Sequence, residues 1–288
     1  MIKSAFLICL ASVLVAEDAP ERPTARLSLG SFTDSYSDST GTWKGWSLAG
    51  EWFRDEHGPW SLSAVGTQRP EGKGTMFTVA KDHSFGESSW VWASVGVGTG
   101  ADFIPTFRGN VDLNLGVSGP WSMGLEAGWN RFRDGSSTLL LQAGPGWLGE
   151  TWSASVRVQQ LRYLPGEFSD TGYLADLRWG ANNLRRWHSL RVGWGQGIID
   201  SLQPGGSYST STMYGGGGRG RGPGSGGTGT YSVTTTQYDY PKLKEFLIST
   251  SSHVPISNRF ALRADLAWGQ RETQFKVWSA SLQTLITF

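Results

Sequence analysis

Along most of this chain, apolar and polar residues alternate in segments of roughly ten, separated by clusters of turn-forming residues. The alternation is plainest in 107–117, where Phe107, Val111, Leu113, Leu115 and Val117 take turns with Arg108, Asn110, Asp112 and Asn114. Segment 121–130 likewise sets Trp121, Met123, Leu125, Ala127 and Trp129 against Ser122, Glu126 and Asn130. Successive side chains of a strand point to opposite faces, so each segment predicts a strand with one apolar and one polar face. The same reading predicts strands at 25–32, 43–53, from Trp60 to a break at 70–74, and at 75–81, 89–98, 138–147 and 152–159. It continues with 173–179, 189–194, 243–250, 259–268 and 275–288. In the last of these Trp278, Ala280, Leu282, Ile286 and Phe288 share one face, and Ser279, Ser281, Gln283 and Thr287 the other.

About fourteen strands of this length suit tilted membrane crossings. The expected fold is therefore all-β: a transmembrane antiparallel up-and-down barrel of about 14 strands, with 12 or 16 as the alternative counts. A soluble sandwich would have to bury the charges of Arg108 and Asp112. In lipid no strand edge can stay open, so 275–288 must pair with both 259–268 and 25–32. An amphipathic last strand ending on Phe resembles the closing strand of bacterial outer-membrane barrels. That resemblance implies a role for Leu282, Ile286 and Phe288 in barrel closure and as a signal read by the barrel assembly machinery. With both termini periplasmic, segments 33–42, 164–170 and 198–241 fall outside and the turns at Ser118 and Leu148 inside.

The 15 tryptophans fit this topology, since Trp favours membrane interfaces. Trp52, Trp60, Trp90, Trp121, Trp147, Trp152, Trp179 and Trp187 flank the connections expected at the periplasmic end and form the expected periplasmic girdle. Trp46, Trp129, Trp194, Trp268 and Trp278 flank the opposite end, and outer-membrane lipid is the expected surrounding.

Composition adds a destination. Lys3, an apolar run over 5–15 and small Ala16 read as a signal peptide, 1–16, cleaved to leave a short segment 17–24 ahead of the barrel domain 25–288. Cys9, the only cysteine, lies in that leader, so the mature chain can form neither disulfides nor thiolate metal sites. A net charge of +1 gives no footprint for nucleic acid.

Two sets of residues bear on chemistry. Glu51, Arg108, Asp112, Glu126, Arg157, Asp176, Arg178, Arg191, Glu245, Arg259, Arg263 and Asp265 fall on the polar faces and should point into the lumen. They would either pair and plug it or line a hydrated pore; pairing is the expectation, because charges away from water need partners. The four histidines, His57, His83, His188 and His253, all fall at periplasmic turns or strand ends. No catalytic residue, metal site or cofactor is expected from them. The stretch 198–241 is rich in Gly, Ser and Thr, and Tyr214, Tyr231, Tyr238 and Tyr240 mark its flanks. Its GGGGRGRG run has too few arginines for nucleic acid, and its Gly222, Gly224, Gly227 spelling lacks the strand–helix context of a dinucleotide site. It reads as a flexible external loop, a surface for a glycan or another cell-surface partner.

Four segments carry a family resemblance: 27–38 (LSLGSFTDSYSD), 103–117 (FIPTFRGNVDLNLGV), 128–135 (GWNRFRDG) and 161–197, with SDTGYLADLRWG and HSLRVGWGQG. In these the chain resembles the YaiO-like outer-membrane protein family, and the Gly-rich stretch 207–229 departs from it. The resemblance implies a surface-exposed barrel in the bacterial outer membrane and supplies no catalytic residues. The expected function is a barrel without catalytic activity, acting as a narrow or mostly closed channel or as a structural or interaction protein of the envelope. The alternative is a barrel enzyme modifying lipid or polysaccharide.

Overall fold

The computed structural model describes residues 24–37, 42–53, 58–85, 88–164, 169–180, 186–198, 244–257, 259–272 and 275–288. The leader expected at 1–16, His57 and nearly all of the Gly-rich stretch lie outside the described residues. Fourteen strands follow one another: β1 (Ala25–Tyr36), β2 (Thr42–Trp52), β3 (Trp60–Arg69), β4 (Gly72–Ser84), β5 (Trp90–Gly100), β6 (Phe107–Ser118) and β7 (Trp121–Arg131), then β8 (Ser137–Leu148), β9 (Trp152–Leu164), β10 (Ser169–Gly180), β11 (Trp187–Gly195), β12 (Glu245–Pro255), β13 (Phe260–Arg271) and β14 (Phe275–Thr287). Each pairs with its sequence neighbours and β14 pairs with β1, giving a closed antiparallel barrel.

Several strands, β9, β10 and β12 among them, outrun the sequence expectation, and β1 and β4 show why. β1 continues past Phe32 to Tyr36, because Asp34 and Tyr36 keep the inward phase and the ladder to β2 holds as far as Ser35 opposite Thr42. β4 spans thirteen residues, since Lys73, Asp82 and His83 stay paired although they break the apolar rhythm. Polar residues at strand ends blur a period-two pattern without interrupting the hydrogen bonds.

The registers advance by about one residue per strand around the ring, which for fourteen strands corresponds to a tilt of ~37° and a backbone radius of about 12 Å. The seam is closed to its last residue: Thr24 N–H donates to Phe288 O at 2.8 Å and Phe288 N–H to Ala25 O at 2.9 Å. Both termini thus lie at one end, here the terminal end; connections 101–106, 132–136 and the start of 196–244 lie at the other, the loop end.

The wall is inverted relative to a soluble protein. Leu29, Val95 and Leu266 are more than half exposed on the outside, while Asp112, Asn114, Glu126 and Asn130 are buried within. Aromatic rings band the outside at both ends. At the terminal end Trp147 packs edge-on to Trp121 (5.1 Å between centroids) and stacks on Trp152 (5.6 Å), with Trp52, Trp60 and Trp179 also exposed. At the loop end Trp129 meets Phe107, Trp194 meets Tyr173, and Trp268 lies between Phe246 and Trp278, while Trp46 covers Gly66.

Two expected girdle members do not belong to it. Trp90 and Trp187 are 8% and 6% exposed and line the lumen. Strand parity is the reason: Trp90 shares the phase of Trp92 and Ser94, opposite to outward Val95 and Val97, and Trp187 shares that of inward Ser189 and Arg191. Nearness to a turn places a Trp at interface height; parity decides which side of the wall it occupies.

Candidate functional site in the barrel lumen

The interior divides by height. Nearest the loop end it is apolar: Phe103, Phe132, Leu140, Leu161, Leu174, Ile198, Leu247 and Val277 are all less than a tenth exposed. Part of this layer comes from connections that fold inward. Segment 101–106 turns at Gly100 (φ +101°), and Ala101 N–H donates to Lys73 O at 2.9 Å. Ile104 and Pro105 then lie against Gly74 and Gly98, where a Cβ would come within 2.4 and 2.0 Å of the segment. Only glycine in the wall leaves room for it. Phe103 is held by Arg69, whose guanidinium lies 4.2 Å from its ring and 3.6 Å from that of Trp43.

The chain leaving β11 also turns inward. Gly195 (φ +126°) and Gly197 (φ +64°) reverse it, and Gln159 Nε2 donates to Gly197 O at 2.9 Å. Ile198, with no exposed surface, packs between Leu174 and Leu247. The opening residues of the long Gly-rich connection therefore point into the barrel. No alternation or composition signal marks this, because a short Ile-Ile after Gly-Gln-Gly reads as loop.

Most of the charges lie below this layer, while Arg69, Arg108, Glu245 and Arg271 share its level at the loop end. Arg157 reaches from β9 along the wall to Asp112 on β6 (3.5 Å) and Glu126 on β7 (3.4 Å). It crosses Gly124, where a Cβ would sit 2.9 Å from the guanidinium, so a glycine groove gives the side chain its path. Asn110 donates to Glu126 (3.2 Å) and Arg108 to Asn130 (2.9 Å). On the facing side Arg191 pairs with Asp176 at 2.5 Å and Arg263 with Asp265 at 2.9 Å, and Ser281 donates to Asp265 at 2.6 Å. Glu245 pairs with Arg271, and Glu51 with Arg26 at 3.2 Å. Arg178 lies 4.2 Å over Trp187, whose ring also stacks on His253 (5.7 Å). Arg259 stands half-buried just ahead of β13, in the inward phase of Arg263.

Every charged residue expected in the lumen thus stands on the inner face or in its phase, and the described pairs link most of them. Sequence reading missed Arg26, Asp34, Arg69, Asp82 and Arg271, which sit at or near the ends of their strands. Following the inward parity of Ser28, Phe32, Val65, Ala80 and Asp265 one or more steps further finds all five.

Beside the charges lies a cavity of about 200 Å³, bounded by Trp90, Gln142, Arg157, Arg178, Trp187, Arg191 and a bank of serines. The described histidines are all at the terminal end. His83 and His188 face outward, and His188 Nδ1 lies 2.9 Å from Ser252 Oγ on the outer wall; His253 faces inward. Among the described residues no group of three His, Cys, Asp or Glu is placed to hold a metal ion.

Comparison with known proteins adds a family and a fold. Residues 24–197 match the YaiO membrane beta barrel domain. No curated protein matches the chain. A solved structure described as CymD monoaromatic hydrocarbon channel aligns over 93% of this chain and 89% of its own, at 10% identity and a TM-score of 0.56. One described as a bacterial polysaccharide outer membrane secretin aligns over 93% and 99%, at 7% identity and a TM-score of 0.51. At these identities the likeness is one of fold.

Proposed function

We take as premise that the chain belongs to the YaiO membrane beta barrel family and is an outer-membrane β-barrel, and we propose that it is a non-catalytic barrel held closed from its loop end, a narrow channel at rest. The observation that carries this is Ile198, fully buried between Leu174 and Leu247 in a lumen already narrowed by Phe103 and Phe132. An apolar constriction resists wetting, so it blocks ions even where a gap is left. The paired charges beneath it, Arg157 with Asp112 and Glu126 above all, fill space instead of lining an open path. In this reading the terminal end is periplasmic, segment 1–16 is an export leader, and the stretch 198–241, beyond its buried first residue, meets the medium and any surface partner.

Planar-bilayer recording tests it. Purified, folded protein should be silent or show brief openings, and Ile198→Gly should lengthen and multiply them. Steady, large conductance from the unmodified chain would overturn the closed reading.

A barrel enzyme has one observation in its favour, the contact between His188 and Ser252. The two are directly opposite residues of the β11–β12 ladder, where such contacts arise from pairing alone. His188's other described partner is the Trp179 ring, not a carboxylate that would orient it, and neighbouring strand N–H groups are tied up in the ladder and unavailable to an oxyanion. Phospholipid hydrolysis by the folded chain that is lost in Ser252→Ala would reverse this judgement.

A further inference from the structure

We infer that the lumenal cavity binds a small hydroxylated organic anion, about the size of a single sugar acid; the inference rests on the closed reading above, in which this space is a pocket and not a stretch of open pore. Its volume of about 200 Å³ is below the ~300–1,000 Å³ of drug-sized sites and leaves room for about a dozen non-hydrogen atoms.

The wall from β10 to β14 presents two consecutive inward rungs. One reads Arg178, Ser189, Ser251, Asp265, Ser281 across the five strands, and the next Asp176, Arg191, Ser249, Ala267, Ser279. Each serine hydroxyl both donates and accepts, and neighbours along a rung stand about one strand spacing, ~4.8 Å, apart. That spacing is comparable with the separation of hydroxyls across one sugar ring. Side chains this short leave the space open, whereas the opposite wall fills its own with Arg157, Asp112 and Glu126.

Accessible charge selects the sign of the ligand. The Asp112 and Glu126 side chains are 4% and 2% exposed beneath Arg157, which is itself 15% exposed, so the acidic excess on that side is covered. Asp265 is held by Arg263 and Ser281. Arg157, Arg178 and Arg191 then front the cavity together with Asp176. Guanidinium groups take carboxylates in a two-point fork, and their charge persists at any physiological pH. An anion carrying hydroxyls uses both halves of the site; a neutral sugar uses only the serines, and a cation meets repulsion.

Isothermal titration of the full-length barrel, folded in detergent micelles, with glucuronate, glucose and glucosamine tests this. Glucuronate should bind saturably, at least about tenfold more tightly than glucose, and glucosamine should be weakest. Arg178→Gln should weaken glucuronate about tenfold or more. Asp176→Asn, which removes the accessible carboxylate, should tighten it severalfold, an effect that misfolding cannot imitate. Heat-modifiable gel migration confirms the barrel in each variant. The inference fails if glucuronate gives no saturable heat, if glucose matches it, or if Asp176→Asn leaves affinity unchanged or lower. Conductance is read separately: a silent barrel that binds nothing loses this inference alone, and a freely conducting one that still binds loses the closed reading alone.

Discussion

Arg157 is one cation serving two buried carboxylates, and its removal should be among the most damaging single changes in the lumen. In Arg157→Met a shorter, unbranched apolar side chain remains, but Asp112 and Glu126 lose the guanidinium that lies 3.5 and 3.4 Å away. Both carboxylates are almost wholly shielded from water, so solvent cannot replace the lost partner. Breaking a buried pair from one side costs about 3–5 kcal/mol, and a second stranded carboxylate argues for the upper part of that range. Stability of a typical domain is only about 5–15 kcal/mol. Neutralising the stranded groups should undo the damage: Arg157→Met with Asp112→Asn and Glu126→Gln should return to within about 1 kcal/mol of the parent, because the amides can still accept from Asn110 and its neighbours. Equilibrium guanidinium unfolding in detergent or lipid, followed by tryptophan fluorescence, measures all three proteins. A cost below about 1 kcal/mol for Arg157→Met, or a triple variant no more stable than the single, would refute the account of the charge layer.

Four further outcomes follow from the wall and the mouth. Leu266 is 58% exposed on the outside of β13 near mid-strand, so Leu266→Arg should cost about 2–4 kcal/mol in a lipid bilayer, read from the unfolding midpoint. In single-tryptophan variants, brominated lipid should quench Trp121 or Trp152 strongly and leave Trp90 and Trp187 nearly unaffected, since the latter pair lies inside. Trp147→Ala removes an edge contact at 5.1 Å and a stack at 5.6 Å and should cost about 1–3 kcal/mol by the same assay. Arg69→Met should free Phe103 from its cation–π sandwich and raise amide exchange over 101–106 by about one to two orders of magnitude.

The barrel was legible because its physics is periodic. Alternation in segments such as 107–117 and 121–130 sets strand, face and length together, and closure in lipid then dictates the ring. The inward charges were legible for the same reason. Trp90 and Trp187 leave the girdle because nearness to a turn sets height alone, while strand parity, which the same sequence carries, sets the side of the wall. The inward-folded connections were illegible for a different reason. Ile104, Pro105 and Ile198 lie in connections, where no period operates, and what admits them is space left by Gly74, Gly98, Gly172 and Gly193. A glycine in a strand announces a close approach without naming the visitor.

The seam between β1 and β14 has a consequence for how the chain reaches this state. Thirteen of the fourteen pairings join strands adjacent in sequence, while the remaining one brings Arg26 opposite Thr287. Assembly is therefore a series of local hairpins followed by one ring closure spanning nearly the whole chain, and the entropy of that closure falls on a single step. Until then the edges of β1 and β14 are open to any other strand. A polypeptide made from its amino end must hold one edge of β1 open until β14 arrives, so the rate at which these two strands meet decides between a closed barrel and edge-to-edge association with a neighbour.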